Sequence, residues 1–176
     1  MAFKKVGYIG DVAGAPIKVV RTLANSITVT ELDSVKLSSG FVALGTAGAS
    51  VLGHVLAIRT KEGVGVDSTG AAGAAFGSFL GTFTTASDNQ TVAQVKAEID
   101  ISKNTLYSAE VDVAIGTTTG SNLAGYFMDL IDEDTLDEST AATTAAQYAT
   151  HGVDIDDSTK AIVNIFESQV FGPLAA

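Results

Sequence analysis

The chain contains no cysteine and no tryptophan, and only two histidines and two prolines among its 176 residues. Without cysteine there is no disulfide framework, no thiolate zinc site and no cysteine nucleophile. The two histidines, His54 and His151, do not form a His-Glu-x-x-His spacing. Aromatic residues are only 7% of the chain, so the core has to be built from Val, Ile, Leu and Ala. No uninterrupted apolar run is long enough to cross a bilayer. Residues 1–14 carry two lysines, but Asp11 and three glycines interrupt their apolar residues, which argues against a secretory signal.

Reactive motifs are missing as well. Gly48-Ala49-Ser50-Val51 fails as a nucleophile elbow because Leu52 stands where the second glycine belongs. The run 116–120 lacks the Gly-Lys-Ser/Thr ending of a P-loop. Gly63-Val64-Gly65 lacks the third glycine of a dinucleotide fingerprint. The acidic triplet Asp132-Glu133-Asp134 and the set Asp154, Asp156, Asp157 offer hard oxygens for calcium. Neither follows the EF-hand spacing, and solvated acidic loops are expected there. His54 lies in an apolar strand and reads as a packed, hydrogen-bonded core residue, whereas His151 has Asp154 near enough to pair with or an interface to line. These absences point away from an enzyme, a cofactor or a small-molecule substrate.

The net charge is −10, unevenly spread. Residues 1–61 hold seven basic against three acidic side chains, whereas residues 129–167 hold ten acidic groups and only Lys160. A phosphate backbone would be repelled by the acidic half, which excludes nucleic acid as the main partner.

Residues 95–115 show the clearest pattern: Val95, Ala97, Ile99 and Ile101 alternate with polar residues, and so do Tyr107, Ala109, Val111, Val113 and Ile115. Period-two alternation predicts two strands, dry on one face and wet on the other, joined as a hairpin at Lys103-Asn104-Thr105 with Asn104 at positive φ. Glu98, Asp100, Glu110 and Asp112 then share the wet face, with Glu98 opposite Glu110. That repulsion suggests a contact surface. Further strands are expected at 17–23, 27–30, 41–44, 51–59, 123–131 and 161–171, and one helix at 137–149, capped by Asp137, Glu138 and Ser139. No internal repeat is evident. The expected fold is mainly β: a small β-barrel or β-sandwich over residues 25–176, with one short helix and an extended N-terminal arm over 1–24.

Several phrases are similar to small accessory head proteins of tailed bacteriophages. They are Gly77-Ser78-Phe79-Leu80-Gly81-Thr82-Phe83, Ser87-Asp88-Asn89-Gln90-Thr91-Val92, the runs 99–103 and 107–110, and Asn164-Ile165-Phe166-Glu167-Ser168-Gln169-Val170-Phe171. Residues 39–45 and 53–58 resemble the β-barrel cores of such proteins. The resemblance implies a capsid decoration, or cement, protein: an all-β homotrimer seated on the outer surface of the virion, made in the host cytoplasm, with the major capsid protein as partner. It implies that a basic N-terminal arm bearing Lys4, Lys5, Lys18 and Arg21 contacts the capsid. The acidic stretch 129–157 departs from a minimal cement barrel and reads as an insert. The competing expectation is a carbohydrate- or receptor-binding β-domain of a tail fibre or cell surface.

Overall fold

Short β-branched runs separated by turn residues leave little room for helices, and the described residues contain fourteen strands and no helix. The computed structural model describes residues 3–9, 16–66, 81–112, 124–142, 146–166 and 168–169. The first half supplies β1 (Phe3–Tyr8), β2 (Lys18–Thr22), β3 (Thr28–Thr30), β4 (Ser34–Ser38), β5 (Phe41–Leu44), β6 (Gly53–Arg59), β7 (Gly65–Val66), β8 (Thr82–Thr84) and β9 (Lys96–Asp100). Strands β2, β9, β6, β4 and β5 neighbour one another in that order, and a parallel bridge from Leu23 to Val42 returns β5 to β2. This closes a first barrel around Leu23, Val35, Val42, Val55, Ile58, Ala97 and Ile99. β4 and β5 are joined by a two-residue turn in which Ser39 (φ 51°) and Gly40 (φ 85°) both have positive φ, the geometry that matches strand twist in a hairpin. β3 and β8 form a separate ribbon whose Val29 packs into this core.

The second half supplies β10 (Thr105–Val111), β11 (Phe127–Leu130), β12 (Thr135–Ala142), β13 (Tyr148–Val153) and β14 (Lys160–Ile165). Their order is β10, β12, β11, β13, β14, and β14 pairs back to β10 to close a second barrel. β1 adds antiparallel to β10, with Lys4 opposite Ser108 and Gly7 opposite Leu106.

The two barrels are the same object. Matching β2, β4, β5, β6, β9 to β10, β11, β12, β13, β14 reproduces every neighbour and every strand direction, including the single parallel closure. The registers agree residue by residue except in β11–β12, where a shift between Phe127 and Asp129 has no counterpart in β4–β5. Val55 faces Ile99 as Thr150 faces Val163, and Ile58 faces Ala97 as Val153 faces Ala161. Each β6-type strand carries its irregularity at the same place, between Val55 and Ala57 in one and between Thr150 and Gly152 in the other. Ala24 N–H bonds to the Val42 carbonyl as Asp112 N–H bonds to that of Leu136. Only the last strand keeps an audible sequence echo: Lys96-Ala97-Glu98-Ile99-Asp100-Ile101 against Lys160-Ala161-Ile162-Val163-Asn164-Ile165.

Five expectations are corrected. Strands β9 and β10 exist, but they do not pair; they belong to different barrels, and residues 101–104 are the corner between them. The corner is closed by Asp100, whose carboxylate accepts the Ser102 N–H at 2.9 Å, so no hairpin turn is needed and Asn104 is not among the positive-φ residues. The wet face holds only at the end of β10, where Glu110 and Asp112 are exposed; Glu98, Asp100 and Ser102 are buried, because β9 faces its own core on one side and the Lys18 and Arg59 side chains or the second barrel on the other. The helix expected at 137–149 is strand, with β12 running through Ala142 and β13 starting at Tyr148; cross-strand pairing to β11 and β10 outweighs the helix propensity of the alanines. Residues 3–8 and 18–22 are paired strands and not an extended arm, since Phe3 and Leu23 are buried in the two cores. Residues 129–157 hold β12, β13 and part of β11, all of them staves of the second barrel and not an insert. Val113, Ile115 and residues 170–171, expected as strand, lie outside the described residues.

Candidate functional site

The chemistry-bearing side chains gather where the two barrels abut. β6 brings His54, register-paired with Asp100 of β9; β10 brings Tyr107, β13 Tyr148, β4 Ser34 and β1 Phe3. All are buried. His54 Nδ1 lies 2.8 Å from the Leu32 carbonyl, so that nitrogen carries the proton and Nε2 accepts from the Tyr148 hydroxyl at 3.1 Å. The Tyr148 oxygen in turn takes the Ser34 hydroxyl at 2.8 Å. Asp100 is held separately: the Tyr107 hydroxyl and Thr105 Oγ1 each donate to its Oδ2 at 3.1 Å. The rings of His54 and Tyr107 stack at 4.1 Å between centroids, and Phe3 closes over His54 at 4.6 Å.

Burial sets the protonation states. Desolvation pushes the His54 imidazole down to about 4, against the favourable Leu32 carbonyl and the Asp100 charge, so it is neutral at pH 7. Desolvation also pushes both phenols up, with Asp100 raising Tyr107 further. Serine, tyrosine and histidine thus form a hydrogen-bonded chain, but the histidine does not meet a carboxylate through its second nitrogen and no group in the chain touches solvent. A satisfied polar network of this kind fixes one unique packing of two apolar surfaces. It is the bolt between the barrels. His54 is therefore the packed core histidine that its sequence context suggests.

The residues expected to form one contact surface are dispersed. Glu98 bonds Lys18 at 2.7 Å and forms a bidentate pair with Arg59; burial raises its pKa, but those two cations outweigh it and hold the carboxylate below its usual range. Glu98 faces Val20 and Ala57, while Glu110 faces Thr135 and Lys160, so the expected Glu98–Glu110 repulsion does not occur. Asp100 lies in the seam. Asp112 accepts the Glu138 N–H at 2.9 Å and ties β10 to β12. Lys5 lies over the Tyr8 ring at 4.4 Å, and Arg21 donates to the Val20 carbonyl at 3.0 Å. Of the eight, Lys18 meets Glu98 in an ion pair and stands opposite Asp100 in the β2–β9 register.

Lys4 has a different setting. Together with Val6 it borders an open groove of about 460 Å³ whose other wall is the β13–β14 turn, with Val153, Asp154, Ile155 and Lys160. Ser108 donates to Asp154, and this bond together with the Asp156 N–H holds that carboxyl below its usual range. Asp157 is likewise engaged locally by Thr159 and Asp132 by the Asp134 N–H, and no group of His, Cys, Asp or Glu among the described residues is arranged to hold a metal ion. His151 bonds Asn164 at 2.7 Å instead of a carboxylate. Among the described residues no helix is long and apolar enough to cross a membrane.

Sequence reasoning missed Tyr107, Tyr148 and Ser34 as a unit, because their meeting depends on two barrels touching. The duplicated Lys-Ala and terminal Ile of β9 and β14 were the available signal. The chain matches no protein-family model, no curated protein and no solved structure.

Proposed function

We propose that this chain is a structural interaction protein: a decoration protein that binds the outer surface of a tailed-bacteriophage capsid and, as a homotrimer, bridges capsid subunits. The observation that carries this reading is where the chain spends its reactive groups. The buried His54, Asp100, Tyr107 and Tyr148 all serve the seam between barrels, which leaves the outer surface as the working part. That surface is electrically polar. Residues 1–101 hold eight basic and eight acidic side chains, whereas residues 102–176 hold two basic and twelve acidic ones, so the whole charge of −10 belongs to the second half. A neutral barrel fits against a protein shell, and an acidic barrel facing outward keeps particles apart in solution.

The test is binding. Light scattering on a sizing column is expected to give three copies per particle, and the protein is expected to co-sediment with expanded capsids and raise their melting temperature. A monomer that leaves such capsids untouched refutes the reading.

A further inference from the structure

The duplication exposes one difference between the barrels. In the second, the edge of β10 beyond its closure is filled by β1. In the first, the corresponding edge of β2 is empty: among the described residues no strand pairs with it. The equivalence is defined by the common partner strand, which sets Lys18 with Leu106, Val20 with Ser108 and Leu23 with Val111. Ile17 C=O and Leu23 N–H both bond toward β9, so alternate residues from 17 to 23 face that strand. The N–H and C=O groups of Lys18 and Val20 therefore point outward. Among the described residues, the Val20 carbonyl is capped by the guanidinium of the next residue alone. Ile17 and Val20 are 56% and 41% exposed beside these groups.

We propose that this edge of β2 is a docking site for an extended segment of a partner protein, carrying carboxylates opposite Lys18 and Arg21 and an apolar residue opposite Val20. The segment adds antiparallel to the first barrel as β1 adds to the second. Main-chain bonds supply affinity and the alternating side chains supply selectivity. Charge chooses the occupant. A second copy pairing its own β2 through these outward groups must set its two-fold axis on a residue: an axis through Val20 places Lys18 against Thr22 and Arg21 against Val19, and no such register offers a carboxylate to either cation. β1 as a model occupant, in its register on β10, would set Phe3 opposite Arg21 and Gly7 opposite Lys18, so a second copy's N-terminal strand offers them no carboxylate either. An acidic strand does. The site stands on the comparison of the two barrels and holds whether or not the partner is a capsid.

The test uses the full chain and a short acetylated peptide containing Glu-Val-Thr-Glu-Val, which sets Glu opposite Arg21 and Lys18. Amide exchange followed by NMR is expected to slow at Lys18 and Val20 on addition of about 1 mM peptide, with the β9 amides unchanged. The peptide with both Glu replaced by Lys is expected to bind about fivefold more weakly. Val20→Pro removes an outward donor that β9 does not use, so binding is expected to disappear while far-UV circular dichroism is unchanged. Should that variant not fold, Arg21→Glu, at an exposed side chain, is expected to erase the preference between the two peptides, because each then meets one like and one opposite charge. Absence of protection at Lys18 and Val20, undiminished binding to folded Val20→Pro, or indifference to peptide charge overturns the proposal. A concentration-dependent dimer abolished by Val20→Pro also overturns it, by making the occupant a second copy.

Discussion

Two buried groups pull the pH dependence of stability in opposite directions, and removing either uncovers the other. His54 has its pKa lowered from 6.5 to about 4 by burial. Below pH 6.5 an unfolded chain takes up a proton there that the folded chain refuses until about pH 4, so this contribution is present above 6.5 and lost as pH falls. At about 1.4 kcal/mol per pH unit the loss reaches about 3 kcal/mol. Asp33 is buried too, but its pKa is raised from 3.8 to about 7, chiefly by desolvation and further by Glu133 and Asp134, with the Thr30 N–H at 2.6 Å opposing. The folded chain keeps that proton up to about pH 7, whereas the unfolded chain releases it above 3.8. Its contribution is complete below 3.8 and lost as pH rises through 7, amounting to about 4 kcal/mol. Between pH 4 and 6.5 the two slopes cancel. Urea unfolding followed by circular dichroism at pH 4, 5, 6 and 7 reads this directly. The stability of the native chain minus that of Asp33→Asn is expected to fall by about 4 kcal/mol from pH 4 to pH 7, and Asp33→Asn itself is expected to weaken by about 3 kcal/mol from pH 6.5 to pH 4 as the His54 slope emerges. Carboxylates other than Glu133 and Asp134, which face Asp33, titrate equally in both chains and drop out of the difference. Parallel curves for the two proteins would refute the reasoning.

Tyr148→Phe removes the hydroxyl that joins Ser34 to His54 and leaves a buried imidazole nitrogen unpaired; a loss of about 2 kcal/mol in urea unfolding is expected, with the fold retained. Glu98→Gln breaks the bonds to Lys18 and Arg59 and leaves the mostly buried Arg59 without its carboxylate, and about 2 kcal/mol of destabilisation is expected in the same assay. Gly53→Ala would place a methyl carbon 2.1 Å from the Asp100 carbonyl oxygen and 2.7 Å from Ile99 Cγ2, so the β6–β9 ladder must shift; a loss of about 3 kcal/mol or more, read as a fall in melting temperature, is expected. Ile155, 98% exposed at the tip of the β13–β14 turn, is expected to tolerate Ser within about 0.5 kcal/mol by chemical denaturation.

Much of the strand map is legible in the chain. The runs at 17–23, 27–30, 41–44, 51–59 and 161–171 hold β2, β3, β5, β6 and β14. Periodicity works there because local sterics and turn chemistry act over a few residues. It fails at Asp100 and Glu98, which alternate like solvent-facing residues and are buried. A polar side chain on a strand says that it needs hydrogen-bond partners; it does not say that they are water. Asp100 finds Ser102, Thr105 and Tyr107, and Glu98 finds Lys18 and Arg59. Residues 137–149 fail for a related reason: Asp137, Glu138 and Ser139 look like a helix cap, yet Asp137 bonds Ser139 within a strand and the neighbours β11 and β10 fix the extended backbone.

By itself, then, the sequence determined that this is a β protein without cysteine chemistry or a recognised reactive motif, with aliphatic cores and an acidic second half. Those properties follow from composition and from spacings of two or three residues. Only the tertiary structure decided that there are two barrels of one design, that residues 101–104 turn from one into the other, and that His54 bonds Tyr148 across 94 positions of chain. Strand pairing is set by which apolar faces can be buried together, a property of the whole chain. Two sequences can satisfy the same ladder while sharing little beyond Lys-Ala and a final Ile.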